Sequence, residues 1–172
     1  SNLIKIRIEK RRNDKMSGIV EKPMRMATGK LHIELRGPDG KLKEERFVHN
    51  IITNAGDAHV ADQMSDGGEN PMSHMAIGTD DDPAPAVGDT TLNSQLDRNA
   101  LTSVVQGTAG DDNDVIYVGD WAAGDGTGTI VEAGIFNNSS GGTMLCRAIF
   151  TAIPKGGSDT LKITWTVTFG AS

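Results

Sequence analysis

The chain has one cysteine, Cys146, among 172 residues. A single thiol excludes an intramolecular disulfide, so nothing in the sequence demands an oxidising compartment. Cys146 lies in the largely apolar run MLCRAIF, and its expected role is that of a small buried hydrophobe. Aromatic residues make up 4% and apolar residues 37% of the chain, which implies a modest core that gains from packing against partner subunits. No stretch approaches the roughly 18–20 apolar residues of a membrane-spanning helix. The N-terminus lacks the apolar core of a signal peptide. A soluble protein made in the cytoplasm, without a membrane partner, is the expectation. The long helical patterns of βαβ units are missing, and so is any repeat of about 20–50 residues, which argues against a solenoid or a propeller.

Glycine is abundant, at 21 residues, and suits a β-protein with frequent turns. Charge is unevenly placed. Residues 1–50 hold 13 Lys+Arg against 7 Asp+Glu, whereas residues 51–172 hold 4 against 16. Such asymmetry marks a segment that leaves its own domain to contact something else.

That segment is the arm of residues 1–28. Within it Ile4, Ile6 and Ile8 fall on one face and Lys5, Arg7 and Glu9 on the other, the period of a strand. Lys10, Arg11, Arg12 and Lys15 follow as a small basic cluster. Nucleic acid is a poor match for the arm, because it has no aromatic residue for base stacking and carries Glu9, Asp14 and Glu21 among its cations. The acidic remainder repels phosphates as well. An isoleucine-lined strand face favours a protein surface, by strand addition or by packing on a neighbour. Ile4, Lys5, Ile6, Arg7, Ile8, Lys10, Arg11 and Arg12 are therefore the candidate contacts with a partner.

Regular alternation begins near Lys30. KLHIELR, the turn GPDGK and LKEERFVH form a hairpin. Residues 54–65, NAGDAHVADQMS, break the pattern as one short helix, with Asn54 as its cap and Val60, Ala61 and Met64 on one face. Strands resume at MSHMAIG and continue through ALTSVVQ, VIYVGDW, TIVEAGIF and TMLCRAIFTAI. The last, DTLKITWTVTF, alternates Leu161, Ile163, Trp165, Val167 and Phe169 against Lys162 and threonines, and is the clearest half-buried strand. About seven or eight short strands after the arm indicate a sandwich or jelly roll.

No catalytic set can be nominated. His32, His49, His59 and His74 lack metal-ligand spacing, so neither a metal nor another cofactor is expected. The runs Asp80–Asp82 and Asp111–Asp114 do not match an EF-hand loop and read as solvated turns. GDGTG at 124–128 lacks the Lys-Ser/Thr of a phosphate loop and precedes a strand rather than a helix. No GxSxG context surrounds a serine.

From Asn50 onward, NIITNAGDAHVADQM, MAIGTDDDPAPAVGDTTLNSQLDR, GTGTIVEAGIFNNSSGGTMLCRAIF and KGGSDTLKITWTVTF occur in that order. Together they resemble small structural proteins of tailed bacteriophages, among them capsid decoration (cement) proteins and others labelled tail-fibre-like. The resemblance spans about 120 residues and leaves residues 1–28 outside it. It implies a jelly-roll-like β-sandwich that works as a homotrimer.

The combined expectation is an all-β protein: a jelly-roll-like antiparallel β-sandwich over residues 29–172, with one short helix and an extended basic N-terminal arm. It is expected to be no enzyme but a decoration protein on the outer capsid surface of the virion, bound to the major capsid protein and to itself. A tail, baseplate or fibre-associated subunit is the alternative. A host-surface binding module is a third reading, using loops 79–91 and 122–128; Trp121, beside the second loop, is expected first as a core or trimer-interface residue, with stacking on a sugar as the alternative.

Overall fold

The computed structural model describes residues 27–170. Residues 1–26, and with them every candidate arm contact from Ile4 to Arg12, lie outside the described residues. The fold is a sandwich of two five-stranded antiparallel sheets with one helix.

The first strand, β1 (Ala27–Arg36), alternates buried and accessible positions along its whole length. It pairs on one side with β2 (Leu42–His49), closing the predicted hairpin, and on the other with the final strand, β10 (Thr160–Phe169). Strand β7 (Asp114–Trp121) and the edge strand β6 (Ser103–Gln106) complete the first sheet, in the order β2-β1-β10-β7-β6. The second sheet runs β3-β9-β8-β4-β5. Its members are β3 (Ile51–Ile52), β9 (Met144–Lys155), β8 (Gly128–Phe136), β4 (His74–Gly78) and β5 (Gln95–Ala100). In both sheets an early strand pairs with a late one, β1 with β10 and β3 with β9.

Ten strands are present among the described residues, more than the seven or eight counted from turn spacing. The two-residue β3 is too short to show a period. LNSQLDR and ALTSVVQ contribute two strands that belong to different sheets: β5 pairs with β4, whereas β6 pairs with β7.

The core lies between the sheets. Leu31, Ile33, Leu161, Ile163 and Trp165 from the first sheet meet Met75, Ile77, Ile130, Ile135 and Cys146 from the second, all fully buried or nearly so. Each such side chain contributes about 1.5–3 kcal/mol of transfer free energy. Trp165 is completely buried and donates its Nε1–H to Asn50 Oδ1 at 2.9 Å. The Asn50 carboxamide occupies the space beside Gly29 where a Cβ would stand, so glycine is needed there for steric reasons.

Helix α1 (Asn54–Ser65) is present as predicted, but its cap is Thr53 rather than Asn54. Thr53 is extended (φ −82°, ψ 161°), accepts the Gly56 N–H at 2.9 Å and donates to the Met144 carbonyl at 2.6 Å. The buried face also differs from the predicted one. Gly56 and His59 face inward, Val60 is half-buried, Ala61 is exposed, and Met64 is 81% exposed. The cause is the close approach of the helix to β9, where the Leu145 backbone fills the space beside Gly56. Proximity of that kind demands a glycine and pushes the apolar residues of the next turns to the margin.

Candidate interaction surface

The two sheets treat their outward faces differently. On the second sheet the outward residues Ala76, Phe136 and Met144 gather around Leu92, which comes from loop 79–94 folded across them. A buried ion network holds that loop down. Arg147, 1% exposed, donates to Glu132 Oε2 from Nε at 3.1 Å, to Asp89 Oδ2 at 2.8 Å and to the Pro83 carbonyl at 3.3 Å. Glu132, fully buried, accepts the backbone N–H groups of Asn93 and Ser94 at 3.0 and 2.8 Å. Every charge is matched by a partner, which is the condition for burying ions at tolerable cost.

The outward face of the first sheet stays accessible. Strand register arranges it in three rows across the sheet. The first is Glu45, Glu34, Lys162 and Asp120; the second Phe47, His32, Thr164, Val118 and Ser103; the third His49, Lys30, Thr166, Ile116 and Val105. Chemistry therefore grades from a charged row to an aromatic and β-branched pair of rows. Phe47 is 75% exposed and Val105 48% exposed. Two open recesses interrupt the face. One of about 390 Å³ is bordered by Glu34, Arg36, Asp120 and Lys162, the other of about 270 Å³ by Lys30, His32, Phe47 and Thr166.

His32 stands between them. Its ring stacks on Phe47 with centroids 4.5 Å apart and planes 2° from parallel. Its Nε2 lies 2.7 Å from Glu45 Oε1, and Arg36 donates to Glu34 Oε1 at 2.6 Å. One donor atom from each of His32, Glu34 and Glu45 falls within 4.8 Å of the others. Sequence spacing hides this group, because Glu45 reaches Glu34 only through the hairpin register.

Several other titratable groups make structural contacts. His59 Nδ1 pairs at 2.8 Å with Glu69 Oε2, which also accepts from Thr143 Oγ1 and Asn137 Nδ2, tying α1 to the β8–β9 turn. Buried Lys155 donates to the Ala122 and Asp159 carbonyls. Burial lowers its pKa, and Asp159, Asp125 and Asp97 oppose that shift. Asp159 is held below the usual carboxylate range, first by the Lys43 ammonium and then by the Gly156 N–H. Tyr117 is pushed up to about 12 by burial and by Cys146. Burial also raises Cys146 well above its ordinary value, in keeping with its expected role as an inert hydrophobe.

Loop 122–128 owes its glycines to backbone geometry, as expected: Gly124 and Gly126 have φ of 93° and 54°. It folds over Trp121, and a side chain at Gly126 would crowd the indole. Trp121 is 1% exposed and has no face to offer a sugar, which removes the stacking platform of the host-binding reading. Ser73 Oγ and His74 Nδ1 lie 2.8 Å apart, but no carboxylate orients that imidazole among the described residues.

No protein-family model matches the chain, and no curated protein or solved structure is significantly similar to it.

Proposed function

We propose that this chain is a non-enzymatic structural protein of a tailed-bacteriophage virion. In this reading it decorates the outer capsid surface as a homotrimer and clamps neighbouring capsomers. The observation that carries the proposal is the contrast between the two sheets, one sealed by its own loop and ion network, the other presenting exposed Phe47 and Val105 amid threonines. A sandwich with one sealed and one open face is suited to lie against another protein. The ordered motifs from Asn50 onward support the phage assignment by resemblance.

The arm has a favourable starting point. Ala27 lies opposite Phe169 in the β1–β10 register, and Phe169 borders an apolar recess of about 300 Å³ with Met64, Met72, Val104 and Leu145. Contacts made by the sheet face and by an arm on separate capsomers reinforce each other, because each later contact is intramolecular.

Co-sedimentation of the purified full chain with undecorated heads tests the reading, with isolated tails as the competing target. Saturable binding to heads, weakened when Phe47 and Val105 are both replaced by serine, is the expected result. Binding to tails alone transfers the protein to the tail or baseplate, and binding to neither particle refutes the virion role.

A further inference from the structure

We infer that His32, Glu34 and Glu45 bind one divalent first-row transition cation of the zinc type, with a fourth coordination position open to water or to a neighbouring molecule. The inference stands apart from the virion reading, since it rests only on the chemistry of the β1–β2 hairpin.

Strand geometry supplies the arrangement. Residues two apart on β1 project from the same face, so His32 and Glu34 are adjacent ligands, and the register sets Glu45 directly across from Glu34. Two ligands from one strand and a third from its neighbour surround a common point above the sheet. The three donor atoms lie within 4.8 Å of one another. Tetrahedral coordination at bond lengths near 2.0–2.1 Å requires ligand separations of roughly 3.3 Å. His32 Nε2 and Glu45 Oε1, now 2.7 Å apart, must open by about 0.6 Å, and rotation of the Glu34 side chain closes the remaining leg.

The donor set determines the class of ion. Imidazole with two carboxylates suits zinc and its first-row relatives, whereas calcium and magnesium favour all-oxygen sites. Electrostatics points the same way. Two carboxylates directly opposite each other across a ladder repel, and a dication between them makes the pair attractive. Arg36 occupies only Oε1 of Glu34 and leaves the second oxygen for a metal. Phe47 is 75% exposed and stacks on His32 with parallel planes, which restrains the orientation of the imidazole.

Isothermal titration of the full chain with zinc chloride tests the site, with calcium chloride as the control. One zinc per chain is expected, with no calcium binding at the same concentrations. Loss of an outer contact weakens metal sites by about 10–100-fold. His32→Ala and Glu45→Gln, which remove ligands, should therefore cost about 100-fold or more, and Phe47→Ser less. Melting curves recorded without metal verify that the variants fold. An NMR titration of the wild-type chain provides a second readout: the His32 imidazole and Phe47 ring signals should shift, while those of His49, His59 and His74 stay in place. Equal zinc affinity in His32→Ala, movement of another histidine instead, or no binding at all would mean that the cluster is an ion-pair group only.

Discussion

Arg147 shows how much one side chain can organise. It is 1% exposed and joins Glu132 of β8 to Asp89 and the Pro83 carbonyl of loop 79–94, so its guanidinium ties that loop to the sheet. Arg147→Ala leaves the Glu132 carboxylate fully buried with only two backbone donors. Removing one partner from a buried pair costs about 3–5 kcal/mol, a loss to be read from urea unfolding. Asp159 has a different signature. Its folded pKa lies below the ordinary value of 3.8, so its contribution is fully present above that value and is lost as pH falls through the depressed folded value. Asp159→Asn should therefore melt below wild type at neutral pH, and the gap between the two should narrow below pH 3.8. A gap independent of pH would mean that Lys43 does not stabilise the carboxylate.

At the scale of the element, helix α1 depends on contact more than on its own periodicity. Alanine is about 1 kcal/mol better than glycine inside a helix, so propensity alone makes Gly56→Ala stabilising. The Leu145 backbone already fills the space a Cβ would take, and backbone yields less readily than a side chain. Overpacking of this kind costs about 1–3 kcal/mol, and the expected sum is a lower melting temperature in calorimetry. The helix also explains why its inward face was illegible. Thr53, Gly56 and His59 are small or polar, and each is buried for a specific contact: a cap, a close approach and the bond to Glu69. A hydrophobic pattern cannot report such reasons.

For the whole molecule, the paired sheets enclose a main core that holds both tryptophans, and loop 79–94 covers a smaller cluster around Phe136 and Met144 on the outer side of the second sheet. That core draws on residues from β1 to β10. A chain lacking residues 1–26 should thus keep its urea midpoint while losing head binding in the sedimentation assay. Full-strength binding by the truncated chain would assign docking to the sheet face alone. Full-length chain that remains monomeric in light scattering, both free at micromolar concentration and when released from particles, would count against the trimer.

Alternation by itself determined the all-β class, the first hairpin and the last strand. Leu31, Ile33 and Leu35, like Leu161, Ile163, Trp165 and Val167, point inward because a pleated strand sends every second side chain to the same side. Glycine and asparagine at the turns marked most of the boundaries between strands. Which sheet each strand joins was decided only by the tertiary structure, because pairing is a non-local choice. The chain crosses between sheets from β5 to β6 over Leu101 and Thr102 without any break in composition to announce it. The same holds for the surface. Arg147 among apolar neighbours, and the grouping of His32 and Glu34 with Glu45, acquire meaning only when register and loop closure bring distant carboxylates to them.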